Sequence, residues 1–114
     1  MNKKKVLIID DETDFCLLLQ SFFSRKNYEV HLSNSLEAGM DALQRAKPDI
    51  VFLDNNLPDG LGWEKAEFIL EQFPYLQLNL ISAYHYDVPK SDGTASFRIW
   101  EKPINLAELN RHFA

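Results

Sequence analysis

Val6-Leu7-Ile8-Ile9 is an apolar run with no polar break, closed abruptly by Asp10-Asp11-Glu12. A strand with one wet face alternates apolar and polar residues. An unbroken run fits a strand covered on both faces, as in a parallel sheet. The pattern recurs at Ile50-Val51-Phe52-Leu53, closed by Asp54. Between these runs the apolar spacing changes to three and four residues. Phe15, Leu18, Leu19, Phe22 and Phe23 form one helical stripe between Thr13 and about Lys26, with Asn27 as its stop.

The alternation continues along the chain. Glu29 to Leu32 is a short second strand. Asn34 with Glu37 predicts an N-cap and capping box for a second helix reaching about Ala46, with Leu36, Met40 and Leu43 inward. Lys47-Pro48-Asp49 breaks it, and Ile50 to Leu53 is the third strand. A third helix turns Ala66, Ile69, Leu70 and Phe73 inward and ends at Pro74. Leu76 to Ile81 is the fourth strand, with Asn79 a polar guest inside it, and Ser96 to Trp100 is the fifth. Asn105 with Glu108 caps a last helix carrying Leu106, Leu109 and Phe113. A fourth helix is due at positions 84 to 95. Pro89 and Gly93 give that stretch little helical signal, so it reads as a short, irregular helix.

Strands alternating with helices mean βαβ units and a mostly parallel sheet, with right-handed crossovers. The expected architecture is α/β: a doubly wound three-layer sandwich around five strands, with about five helices. At 114 residues the chain is one domain, 1–114.

Hydrophobic residues make up 46% of the chain, enough for a sizeable core, yet no apolar run is long enough to span a bilayer. Lys3-Lys4-Lys5 is followed by too short an apolar stretch for a signal peptide. A net charge of −5 argues against direct nucleic-acid binding. The single cysteine, Cys16, rules out an internal disulfide and fits a reducing, cytoplasmic setting. His31, His85 and His112 share no ligand spacing, and Trp63 and Trp100 show no ligand role.

Open α/β sheets bind ligands beyond the C-terminal ends of their strands. Those ends carry Asp10 and Asp11, then Asp54, then Ser82, then Lys102. Asp10 and Asp11 also suit a helix cap, and Asp54 a turn. Asp59-Gly60 reads as turn chemistry. Carboxylates facing one crevice repel each other unless a divalent cation sits among them, and Mg2+ prefers such oxygen ligands.

The motifs "IIDDE" (8 to 12), "FLDNNLPDG" (52 to 60), "LISA" (80 to 83) and "EKP" (101 to 103) resemble, in order and near-family spacing, the receiver domain of two-component response regulators. The resemblance covers essentially the whole chain. It implies the chemotaxis-type, flavodoxin-like fold with strand order 2-1-3-4-5. It implies that Asp54 accepts a phosphoryl group from a histidine kinase or phosphotransfer protein. Asp11 would bind Mg2+ directly, Asp10 through water, and Asn56 through its backbone carbonyl. Lys102 would meet a phosphoryl oxygen, and Ser82 would donate its hydroxyl to another as the switch. The Lys102–Pro103 bond would be cis. Self-modification with slow self-hydrolysis makes such a domain a switch and not a turnover enzyme.

Two features depart from the family pattern, Ile99 and the stretch before the fifth strand. The usual aromatic switch position is Ile99, and Trp100 beside it faces the other way along a strand. Tyr84, two residues after Ser82, is a bulky candidate for tuning the phosphoryl lifetime. The unusual stretch before the fifth strand leaves partner choice and a possible homodimer open. A pseudo-receiver that binds partners without phosphate is the alternative. A phosphohydrolase with an aspartate nucleophile would need an acid at position 56, where Asn56 cannot transfer a proton. Leu17, on the outer side of the first helix, is a candidate kinase contact. Neither a stand-alone receiver nor the N-terminal domain of a longer regulator is favoured by the sequence.

Overall fold

In the computed structural model, which describes residues 3–83 and 97–113, the apolar runs form strands whose successive side chains feed two different cores. The order is β1 (Lys5–Ile9), α1 (Thr13–Arg25), β2 (Glu29–Ser33), α2 (Leu36–Ala46), β3 (Ile50–Asp54), β4 (Asn56–Leu57), β5 (Gly60–Leu61), a 3-10 turn (Gly62–Lys65), α3 (Ala66–Gln72), β6 (Gln77–Ser82), β7 (Phe97–Glu101) and α4 (Leu106–His112). β4 and β5 form a two-stranded antiparallel ribbon. The main sheet is parallel throughout, ordered β2-β1-β3-β6-β7. With the ribbon set aside, this is the 2-1-3-4-5 order of the expected doubly wound sandwich.

Period-two alternation makes the layers. Val6, Ile8, Ile50, Phe52, Ile81 and Trp100 face α1 and α4. Leu7, Ile9, Val51, Leu53, Leu78 and Leu80 face α2 and α3. Phe23 is fully buried in the first core, with the rings of Phe22, Tyr28, Phe52 and Phe113 at centroid distances of 5.0 to 5.6 Å. Each such side chain stabilises the fold by roughly 1.5–3 kcal/mol relative to exposure. In the second core α2 approaches β1 closely. A Cβ at Gly39 would come within 2.7 Å of the Ile9 side chain.

Several expectations shift. The inner face of α1 is Phe15, Cys16, Leu19 and Phe23, whereas Leu18 is 40% exposed. The helix carries more apolar residues than one stripe needs, so the burial phase was ambiguous by one position. The N-cap of α2 is Ser35, not Asn34: Ser35 Oγ accepts the Ala38 N–H at 3.1 Å. Asp59 is more than a turn residue, since its two carboxylate oxygens accept the Leu36 and Glu37 N–H groups at 2.7 and 2.8 Å. Leu106 is 48% exposed at the first turn of α4, where Asn105 caps as expected through Ala107 and Glu108. The fourth strand runs one residue later than predicted, through Ser82, and the described part of the fifth begins at Phe97. The Lys102–Pro103 bond is cis. The described residues contain four α-helices, because the stretch expected to hold a further one, 84 to 95, lies outside them.

Candidate functional site

Register brings the strand ends level. Ile9 lies opposite Leu53, Asp54 opposite Ile81, and Ser82 opposite Glu101. Asp10 and Asp11 after β1, Asp54 at the end of β3, Ser82 at the end of β6 and Lys102 after β7 therefore share one edge of the sheet.

Asp10 is buried. Its backbone N–H donates to Ser33 O at 3.0 Å, and its Oδ1 accepts the Glu12 N–H at 2.8 Å. Its carbonyl oxygen accepts from Cys16 Sγ at 3.2 Å, so Cys16 belongs to the interior of the site's support. Asp10 Oδ2 faces Lys102 Nζ at 2.9 Å. This oxygen has the charge contact but no well-directed hydrogen bond. Lys102 Nζ also meets Glu12 Oε1 at 2.8 Å and stands 4.6 Å from the centre of the Phe15 ring. Its backbone N–H donates to Ser82 O at 2.9 Å, tying the end of β7 to that of β6.

Asp54 is only 4% exposed, and the chain folds back over it. Asn55 N–H donates to Ile81 O, its carbonyl accepts from Gly62 N–H, and its Oδ1 accepts from Trp63 N–H at 3.1 Å. Trp63 Nε1 donates to Leu53 O at 3.2 Å. Gly62 is required here, since a Cβ at that position would collide with the Asp54 carbonyl oxygen. Asn56 is exposed in β4, opposite Leu61.

One carboxylate oxygen from each of Asp10, Asp11 and Asp54 lies within 4.8 Å of the others. Asp11 is exposed and the other two are buried. Burial pushes the Asp54 carboxyl up to about 7. The Asp10 and Asp11 charges add to this, while Lys102 and the Asn56 backbone N–H oppose it. Burial also raises Asp10, against the Glu12 N–H and Lys102. Hard oxygen donors that carry more negative charge than one lysine offsets are a donor set that fits a divalent cation such as Mg2+.

Ser82 is 2% exposed beside Asp54's strand. Ile99 packs half-buried against the α2–α3 core, and Trp100 points into the opposite one. Tyr84 lies outside the described residues. Leu17 is 52% exposed on the outside of α1. From sequence alone Glu12, Asn55 and Phe15 have no role at the site, and Asp59 reads only as a turn residue. Glu12 could have been suspected from its place in the acidic run, whereas Phe15 meets Lys102 and Asp59 meets the start of α2 only through the fold.

Among the described residues no helix is long and apolar enough to cross a membrane. The response regulator protein PilR of Pseudomonas aeruginosa is 28% identical over 111 residues, covering 96% of this chain and 25% of PilR. The chain thus spans about a quarter of that relative's length, and 27% and 32% of two further curated relatives. Sporulation initiation phosphotransferase F of Bacillus subtilis is 26% identical over 114 residues, covering 96% of this chain and 90% of that protein. Response regulator protein TrrA of Thermotoga maritima, solved in complex with Mg(2+)-BeF, superposes with a TM-score of 0.82 at 27% identity, covering 96% of both chains. The family model described as response regulator receiver domain matches residues 6–113. Match, fold and strand-end residues agree, and the chain belongs to the response regulator receiver domain family.

Proposed function

We propose that this receiver takes a phosphoryl group onto Asp54 from a histidine kinase or phosphotransfer protein, in an Mg2+-dependent reaction, and passes the change to a partner or effector. The observation that carries this reading is the gathering of Asp10, Asp11 and Asp54 within 4.8 Å at the strand ends, with Lys102 as their nearby cation.

Asp10, Asp11, Asp54 and the backbone carbonyl of Asn56 would hold the ion. When bound, Mg2+ supplies positive charge beside the phosphoryl oxygens, where transfer depends most on electrostatics. The ionised Asp54 carboxylate is the nucleophile. An oxygen–phosphorus bond forms as the donor's nitrogen–phosphorus bond breaks, and the donor histidine keeps the electron pair. Lys102 would meet one phosphoryl oxygen as a point charge, and Ser82 would turn its hydroxyl to another. The loop after Asp54 is tied down by the Asn55 N–H on Ile81 O and the Gly62 N–H on Asn55 O. Tyr84 would slow hydrolysis by bulk, and a Tyr84→Ala receiver that kept its phosphate as long as wild type would remove that role.

The domain modifies itself and has no turnover substrate in this scheme. Its similarity to a sporulation phosphotransferase over nearly the full length of both chains supports a phosphorelay role. The decisive test is intact-protein mass after incubation with Mg2+ and acetyl phosphate. One phosphoryl adduct that disappears in Asp54→Asn is expected. No adduct on the wild type, or an adduct that survives in Asp54→Asn, would overturn the proposal.

A further inference from the structure

Lys102 has two carboxylate partners among the described residues, Asp10 and Glu12, and Asp54 is not one of them. The two partners differ in what their release costs. The Asp10 side chain is fully buried, so losing its lysine would strand a desolvated charge. The Glu12 side chain is 55% exposed, and water can replace the lysine there at little cost. Lys102 itself is only 13% exposed. Its ammonium can therefore exchange the Glu12 contact for a new one while keeping Asp10.

Glu12 is also placed for this contact by its backbone. Its N–H donates to Asp10 Oδ1, and its carbonyl accepts the Cys16 N–H at 3.1 Å as α1 begins. It stands at the N-cap of α1, a position that favours Ser, Thr, Asp or Asn, yet its side chain makes no capping bond. That side chain reaches a residue 90 positions away instead.

We propose that Glu12 is a positioning residue that holds Lys102 back from Asp54 in the unmodified receiver and competes with the arriving phosphoryl oxygen for its ammonium. The idea rests on the Asp54 reading above. Removing the competitor should strengthen binding of any anion that mimics the phosphoryl group on Asp54.

The test is calorimetric titration of the whole chain with beryllofluoride at saturating Mg2+. Glu12→Gln should bind about two- to fivefold tighter than wild type, the range expected for losing one exposed ion pair. Glu12→Asp keeps the charge but loses the reach, and should behave as Glu12→Gln does. In a Lys102→Met background the Glu12→Gln gain should vanish. Thermal unfolding of each variant separates a loss of fold from a loss of competition. Unchanged or weaker binding by Glu12→Gln overturns the proposal. So does a Glu12→Asp variant that matches wild type, since charge alone would then explain the gain. So does a gain that persists without Lys102. A wild type that binds no beryllofluoride would overturn the Asp54 reading itself, whereas normal wild-type binding with no gain in Glu12→Gln would remove the Glu12 role alone.

Discussion

Trp100 Nε1 donates to Asn79 Oδ1 at 2.8 Å across two neighbouring strands, inside an otherwise apolar layer. Asn79 completes its bonding by donating to Val51 O at 3.3 Å and Gln77 O at 3.4 Å. The polar guest in β6 is thus a three-strand tie and is only 1% exposed. Trp100→Phe leaves Asn79 Oδ1 buried and unpaired, and should cost about 1–3 kcal/mol in urea unfolding. Asn79→Val in the same chain should recover part of the loss, because both ends of the broken bond are then removed. Additive losses in the double variant would refute the coupling.

Asp54 sets a pH dependence in the metal-free protein. Its carboxyl keeps its proton up to about 7 when folded, against an ordinary value of 3.8. Between those values the folded state binds more protons than the unfolded state, so stability falls as pH rises through the window and stays reduced above it. Asp54→Asn removes this loss. Above the window the variant should exceed wild type by about 1–4 kcal/mol, and its stability should change less across it. Urea melts in chelator at a series of pH values measure both. A wild type as stable as the variant at alkaline pH would contradict the burial argument.

Divalent cation should reverse part of that penalty. Wild type should melt at higher temperature in Mg2+ than in chelator, because an ion that binds only the folded state stabilises it by mass action. Asp11→Asn and Asp54→Asn should each show a smaller rise. Equal rises in all three proteins would place the effect elsewhere.

Gly62 sits against the carbonyl of Asp54. Gly62→Ala forces the loop from Asn55 away from the strand end, since backbone and not a flexible side chain is in the way. Such a misplacement can slow chemistry by up to about a hundredfold. The time course of the acetyl phosphate adduct measures this. An unchanged rate would show that the loop can yield without disturbing Asp54.

Strands buried on both faces were the most legible part of the sequence, because Val6 to Ile9 and Ile50 to Leu53 admit no other use in a chain this size. Their polar endings then pointed to Asp10, Asp11 and Asp54, because three carboxylates at the ends of buried strands face one crevice, although a cap or a turn would also use them singly. Helix phase was harder. In α1 both Cys16 and Leu18 offer an apolar face, and contact with the sheet chose Cys16. The start of α2 offered two adjacent cap candidates. Ser35 won because Asp59, 22 and 23 residues away, takes the next two amides. Contacts that close over long separations, such as Glu12 with Lys102, leave no periodicity to read.

Loss of the Ser35 cap alone should be mild. Ser35→Ala should cost about 1 kcal/mol, measured by urea unfolding, with a larger loss pointing to a role beyond one amide.

The Asp59 fork has a further consequence for how the molecule opens. Two of the first amides of α2 are held from outside the helix, by the loop that begins at Asp54. The helix end cannot fray while the loop keeps its place, and the loop cannot swing out without exposing those amides. The two amides should exchange with solvent together. Hydrogen exchange at Leu36 and Glu37 should therefore time the breathing of the loop after Asp54, read from outside the Asp10, Asp11 and Asp54 cluster and Lys102.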